Sequence, residues 1–456
     1  MISLFKKRPQ LQDLGQLTQI AIAPDAISIL TEAAQYKTEL LRQIAAAKQR
    51  IYLCSLYLQD DEAGREIFSA LYAAKKLNPA LDIQIFVDWH RAQRGLIGEH
   101  TIAGQVAGNA AWYQRLSAEH DWSIPVYGVP VQTRELFGVL HLKGMVIDAV
   151  VIYSGASLNN VYLHQFDKYR HDRYWLLQSA RLADKLVQWM QTQLLSSKAV
   201  HRLDAVEIPK TRQFRSDIRA FRDCLKSSEV ALSTETIASA QHLCVSYLVG
   251  VGSGNHLNRS LCQLLAAAQT RITICTPYFN FPLAITREIN RALKRGVIVS
   301  VIVGDKTAND FYISPELPFK AIGSLPYLYE MNLRRFAKKH QAHIASGALR
   351  LHLWRDGDNS YHLKGMWIDD LYTLVTGNNL NPRAFRLDLE NALLLTDPRG
   401  ELLAQREAEL RSIYTHTEVL QHYREIERLQ DYPPKVRQLL SRLSRVRLDR
   451  LAYRVL

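Results

Sequence analysis

The chain has 456 residues, 47% of them hydrophobic and 22% charged, enough length and apolar content to build two globular cores. No run approaches 18 uninterrupted apolar residues, so no transmembrane helix is expected, and five scattered cysteines (Cys54, Cys224, Cys244, Cys262, Cys275) without a CxxC pair argue against a disulfide framework or a structural zinc. A formal charge of +13 and a pI near 9.4 predict attraction to polyanions, whether nucleic acid, anionic lipid or phosphorylated substrate.

In chain order, residues 1–9 lack the apolar core of a secretory signal, and a cytoplasmic location is expected. Residues 40–48 have helical apolar spacing and 51–58 switch to a strand-like run. A second helical stretch, 66–76, leads into a short β-branched strand at 83–87, with Asp88 just past it. The string His141-Leu-Lys-Gly-Met-Val-Ile-Asp148 reads as a strand on which His141 and Lys143 share one face and Asp148 ends the run. The next strand ends at Gly155 and is followed by Ser157 and Asn159; Asp172 precedes a further apolar run. Residues 202–241 are polar and charge-mixed and read as a connector with one helical stretch.

Past the connector the pattern returns. Residues 261–279 align without gaps to 40–58 at an offset of 221, with eight of 19 positions identical. At the same offset, His362-Leu-Lys-Gly-Met-Trp-Ile-Asp369 matches the first string at seven of eight positions. Helical 287–295, a strand at 297–303, Asp305, and Gly377 followed by Asn379 and Asn381 repeat the remaining features, and Glu390 stands where Asp172 stands in the first half. The expected organisation is α/β: a first repeat at 1–201, the connector at 202–241, a second repeat at 242–430 and a basic C-terminal segment at 431–456, with helices on both faces of each sheet.

A single His-x-Lys-x4-Asp string is more often an ordinary strand histidine beside a lysine; two copies in register are not easily bland. Two imidazoles, two ammonium groups and polar side chains meeting at a pseudo-twofold axis suit phosphoryl transfer by double displacement, one imidazole attacking phosphorus and the other moving the proton. His141, Lys143, His362 and Lys364 are the catalytic candidates, and Ser157, Asn159, Asn379 and Asn381 the candidate phosphate donors. Asp172 and Glu390 are the candidate acceptors that orient the imidazoles, while Asp148 and Asp369 read as structural. The lysines beside each histidine argue against metal ligation, and no cofactor is called for.

These motifs resemble the signature of the phospholipase D superfamily. The strings at 87–95, 304–312, 327–336 and 377–386 are similar to its serine-transferring branch, the phosphatidylserine synthases of Gram-negative bacteria. The resemblance implies two tandem α/β/α sandwiches and no metal. It further implies transfer of a phosphatidyl group from CDP-diacylglycerol to L-serine through a phosphatidyl-histidine; the resemblance favours His141 as nucleophile with His362 as acid and base, while the near-symmetry of the halves leaves the reverse assignment open. On the same site, phospholipase D hydrolysis or cardiolipin synthesis would differ only in the acceptor. From another class, a polyanion- or membrane-binding protein with a relic site stays open, although it predicts disturbed motifs and both are intact.

A diacyl substrate calls for peripheral contact with an anionic membrane surface, the inner membrane in such a bacterium. Val436, Leu439, Leu440, Leu443 and Val446 form one stripe of a basic helix suited to that role, or to docking on the body. Residues 1–8 and the apolar strings 278–283 and 317–319 are smaller candidates. The net charge also suits non-specific attraction to nucleic acid or ribosomes. Oligomeric state has no signal in the sequence.

Overall fold

The computed structural model describes Leu14, Leu17 and residues 19–94, 108–227 and 242–445. Its architecture follows from the alternation of helix and strand. The helix Ala33–Ala46 turns Ala33, Tyr36, Leu40 and Ile44 to the interior, a spacing of three and four that keeps them on one face. The helix Glu62–Leu77 starts where the Asp61 carboxylate accepts from the Gly64 N–H at 2.9 Å, and it buries Ile67, Phe68 and Leu71. Between them the strand Arg50–Cys54 is buried from Ile51 onward, as a strand covered on both faces should be.

The described residues form two large mixed sheets with the same internal order. In the first, Arg50–Cys54 lies parallel to Asp82–Asp88, which lies parallel to Val126–Val129. On its other side run the antiparallel strands Gly144–Ile147, Val150–Ser154, Tyr174–Gln178 and Ile27–Leu30. In the second, Arg271–Thr276 lies parallel to Ile298–Gly304 and that to Leu349–Trp354, with antiparallel Gly365–Ile368, Tyr372–Thr376, Leu389–Thr396 and Cys244–Val251 on the other side. The duplication seen in the sequence is therefore a duplication of topology.

The halves are not independent along the chain. Ile20–Ala21, at the start of the first half, pairs with Cys244–Val251 of the second sheet. One hydrophobic cluster runs from the first sheet into Val245, Val375, Leu389 and Leu393 of the second. The strand His201–Arg202, spanning the start of the expected connector, edges the first sheet, and the connector carries the helix Arg215–Ser227, while 228–241 lie outside the described residues.

One expectation is corrected. His141 and Lys143 do not sit on a strand; the strand begins at Gly144, and in the second half at Gly365. Both glycines take positive φ (116° and 146°), so the chain turns as it enters the sheet and the preceding residues reach toward the opposite half. At Gly365 a Cβ would lie 2.6 Å from the Leu374 carbonyl oxygen, which leaves glycine as the residue that fits.

The C-terminal helix Pro434–Arg445 places Val436 and Leu440 against Tyr327, Leu328 and Tyr432, with half-buried Leu443 beside them. Of the two roles expected for the stripe, docking on the body is the one Val436 and Leu440 take, because burial against aromatic side chains removes them from water; Val446 and residues 1–8 lie outside the described residues. Phe279 and Phe281 are core, whereas Leu283, Leu317 and Phe319 are exposed.

Asp148 and Asp369 share a role written in geometry. Each takes a left-handed conformation (φ 51° and 49°) at the end of its motif. The Asp148 carboxylate accepts from the backbone N–H groups of Lys48, Gln49 and Arg50, and Asp369 from those of Gln269, Thr270 and Arg271, all at 2.8–3.0 Å. Burial opposes the charge on Asp369, but the backbone donors outweigh it and hold its pKa below the usual value. Its contribution is therefore in place above the usual carboxylate range and is lost as acid protonates it. Asp369→Ala should cost about 1 kcal/mol, a fall of roughly 2–4 °C in Tm at neutral pH, with the gap closing in acid melts.

Candidate active site

The two motif segments cross over. Val139 to Lys143, from the first half, lie along Asp388 to Asn391 of the second. The Val139 N–H donates to Asp388 Oδ1 at 3.0 Å, Leu389 N–H to the Val139 carbonyl at 3.0 Å, and His141 N–H to the Leu389 carbonyl at 2.9 Å. Asn391 then completes the strip: its Oδ1 accepts from Lys143 N–H at 2.9 Å and its Nδ2 donates to the Lys143 carbonyl at 2.7 Å. On the other side Ser360–Tyr361 pairs in parallel with Arg170–His171, and His362 N–H donates to the His171 carbonyl at 2.8 Å.

The side chains follow the backbone. His141 Nδ1 meets the Glu390 carboxylate, 2.9 Å from Oε1 and 3.0 Å from Oε2, and His362 Nδ1 meets Asp172 Oδ2 at 2.9 Å. Each imidazole is thus held by an acid from the opposite half. With the ring proton kept at Nδ1 by a carboxylate, Nε2 keeps its lone pair. Lys364, wholly buried, places Nζ 3.0 Å from the same Asp172 oxygen, whereas Lys143 Nζ donates to Ser157 Oγ at 3.3 Å.

Glycine makes this closeness feasible. A Cβ on Gly155 would stand 2.7 Å from Lys364 Nζ and from an Asp172 oxygen, and one on Gly377 would stand 2.6 Å from Lys143 Cγ. The expected phosphate donors lie just beyond. Asn159 and Asn381 use Oδ1 to accept from Tyr162 N–H (3.0 Å) and Ala384 N–H (2.9 Å), which orients their amides. Asn379 is half-buried, with a buried Oδ1 that has no hydrogen-bond partner.

The electrostatics of the halves differ. Burial lowers the basicity of both imidazoles, and the lysines lower it further: His141 falls well below the usual histidine value and His362 to about 4. Lys143 is brought down to about 8 by burial and by Lys364. Burial works against a charged Asp172, but Lys364 and His362 overcome it and hold the carboxyl down at about 2. Glu390 goes the other way, raised well above its usual value by burial and then by Asp388. Asp172 is a paired anion while Glu390 is pushed toward its neutral form.

Sequence reading missed several residues here. Tyr162 brings its hydroxyl within 3.0 Å of His362 Nδ1, with Arg170 stacked on its ring at 4.7 Å. Asp88, raised to about 7 by burial, accepts from Leu140 N–H, next to His141, and from Arg91 N–H, both at 2.8 Å. Asp88, expected just past its strand, is instead that strand's last residue, whereas Tyr162 and Asn391 have no partner in the repeated strings. Among the described residues no cluster of histidine, cysteine or carboxylate side chains could hold a metal. No described helix is long and apolar enough to cross a membrane.

The family model for "cardiolipin synthase, PLD-like domain" matches this chain twice, at 40–194 and 261–414. The CDP-diacylglycerol–serine O-phosphatidyltransferase PssA of Escherichia coli is 49% identical over 457 residues, covering all of both chains. The Haemophilus influenzae CDP-diacylglycerol–serine O-phosphatidyltransferase is 49% identical over 452 residues, 98% of each. The crystal structure of the H. influenzae phosphatidylserine synthase superposes with a TM-score of 0.93 at 48% identity, over 98% of each chain.

The unequal acids predict unequal variants. Asp172→Asn strands the buried Lys364 ammonium and should cost roughly 3–5 kcal/mol in urea unfolding. Glu390→Gln removes a carboxyl already pushed toward neutrality and should cost under about 1 kcal/mol. Because the folded state disfavours ionised Glu390, the parent is penalised as pH rises above the usual carboxyl range, so Glu390→Gln should gain on it as pH rises from that range. Equal losses for the two variants would contradict this division.

Proposed function

This chain belongs to the cardiolipin synthase, phospholipase D-like domain family, and from that premise we propose that it transfers the phosphatidyl group of CDP-diacylglycerol to L-serine through a phosphatidyl-histidine. The observation that carries the mechanism is the pair of buried imidazoles, each held at Nδ1 by a carboxylate within 3.0 Å. The choice of serine as acceptor rests on full-length likeness to the two serine transferases.

His141 Nε2 attacks the lipid-bearing phosphorus; a P–N bond forms and the bond to the bridging oxygen of CMP breaks. His362 delivers a proton to the departing phosphate. In the second step His362 takes the proton of the serine hydroxyl, the serine oxygen bonds to phosphorus and the P–N bond breaks. Lys143, Lys364 and the amides of Asn159, Asn379 and Asn381, with Ser157, balance charge on the non-bridging oxygens throughout. His141 suits the nucleophile's role because its acid partner, Glu390, is not committed to a lysine ion pair, whereas Asp172 is shared between His362 and Lys364.

The diacyl substrate is met at the bilayer surface. Leu317 and Phe319 are exposed beside Val436, and the C-terminal helix turns Lys435, Arg437 and Arg442 outward, so apolar and basic groups share one face suited to peripheral contact with anionic lipid. CMP release from CDP-diacylglycerol in detergent micelles, measured with and without serine, tests the reading: serine-dependent phosphatidylserine supports it, and release that depends only on water or another alcohol overturns the acceptor. His141→Ala and His362→Ala should each lower turnover by about a thousandfold or more. Quenched reactions should yield a phosphatidyl adduct from the parent and from His362→Ala, but none from His141→Ala; near-parental turnover of either variant would contradict the shared site.

A further inference from the structure

Four arginines are buried among the described residues. Three have their charge answered: Arg173 pairs with Glu409 at 2.8 Å, and Arg222 and Arg406 donate to backbone carbonyls. Arg91 does not. Only 6% exposed, it forms no ion pair with a carboxylate among the described residues. Among the described residues its guanidinium makes one long side-chain hydrogen bond, Nη2 to Gln59 Oε1 at 3.4 Å, and its buried Nη1 has no partner. The nearby acid, Glu135, is taken in a fork by Arg94, with bonds of 2.6 and 2.5 Å. Burial and the Arg94 charge both work against the cation, yet a guanidinium stays protonated. A buried, forked cation with an unused donor is a receptor for an anion.

Its position links it to the reaction. The guanidinium stacks on the Tyr57 ring at 4.6 Å, and the Tyr57 hydroxyl lies 3.5 Å from the amide of Asn159, a candidate phosphate donor. Asp88 ties the Arg91 backbone to Leu140, the residue before His141. Arg91 therefore stands one aromatic ring away from the transfer site and is fixed to the same strip that carries His141.

We propose that Arg91 binds a second anionic group of a substrate, distinct from the phosphoryl group under attack. The inference rests on the reading given under Proposed function, in which two such groups arrive: the phosphate that leaves with cytidine, and the carboxylate of serine. Their shared chemistry, an oxyanion that accepts two parallel N–H bonds, is what the free side of Arg91 offers.

Arg91→Gln and Arg91→Lys, assayed in the full chain, separate the sources. If the nucleotide phosphate is bound, the KM for CDP-diacylglycerol and the inhibition constant of CMP rise by about tenfold or more in Arg91→Gln while the serine KM stays within twofold. If the carboxylate is bound, the serine KM rises by that factor and the preference for serine over ethanolamine, which lacks the carboxylate, shrinks equally. Arg91→Lys should recover part of either loss, since it keeps the charge but not the fork, and it reports in place of Arg91→Gln should that variant fail to fold. Calorimetric titration of CMP and of serine, which needs no turnover, reads the same contact directly. Unchanged KM values and unchanged CMP and serine binding in variants that melt like the parent overturn the proposal. Absence of serine-dependent CMP release by the parent would instead overturn the functional reading and leave the calorimetric arm to decide on Arg91.

Discussion

The site depends on the exchange of carboxylates between halves. Glu390 reaches His141 and Asp172 reaches His362, so neither half contains a complete acid–imidazole pair. The exchange is enforced by backbone as much as by side chains: Leu389 and Asn391 hold Val139 to Lys143 as a sheet neighbour would, and His171 holds His362. Positive φ at Gly144 and Gly365 turns the motif segments out of their own sheets, and Gly155 and Gly377 leave room for the lysine that arrives. The Arg173–Glu409 ion pair, with Arg173 stacked on Trp367 at 4.0 Å, buries a further polar link between halves. Packing of the two halves and assembly of the catalytic groups are thus one event.

The charges gathered in the site suit an anionic phosphate. Two lysines and two imidazoles share a buried space, and each depresses the basicity of its neighbours. Both rings are uncharged at neutral pH, the state a nucleophile needs. A substrate pyrophosphate brings negative charge into that space and restores basicity to the imidazoles, so the ring that carries the proton can hold it only while substrate is bound. The pseudo-symmetry is broken electrostatically: Asp172 is ionised and shared between His362 and Lys364, while Glu390 is pushed toward neutrality beside Asp388. That asymmetry distinguishes two nearly identical motifs, and the division of roles proposed for His141 and His362 rests on it.

Much of this was legible in the residues. The offset of 221 between the two strings is a topological duplication, and the sheets share one strand order. Asp172 and Glu390 could be picked as acids placed alike after each motif, yet which histidine each serves could not, since a single sequence holds no record of contacts 190 and 249 residues apart. The strand reading of His141 and Lys143 failed at glycine: period-two spacing is the same whether a segment lies in its own sheet or reaches out to another. Tyr162, Asn391 and Arg91 lie outside the repeated strings, and their roles come from tertiary neighbours alone. The C-terminal stripe shows the same limit, because amphipathicity does not say whether membrane or protein covers the apolar face.

A double-mutant cycle on folding stability addresses the exchanged carboxylates most directly. Combining His362→Ala with Asp172→Asn should show coupling of about 1 kcal/mol or more in urea unfolding, and His141→Ala with Glu390→Gln a smaller coupling still above about 0.5 kcal/mol, whereas His141→Ala with Asp172→Asn should be additive within about 0.5 kcal/mol. Strong coupling of His141 to Asp172, with none to Glu390, would mean that each half keeps its own acid and would contradict the account.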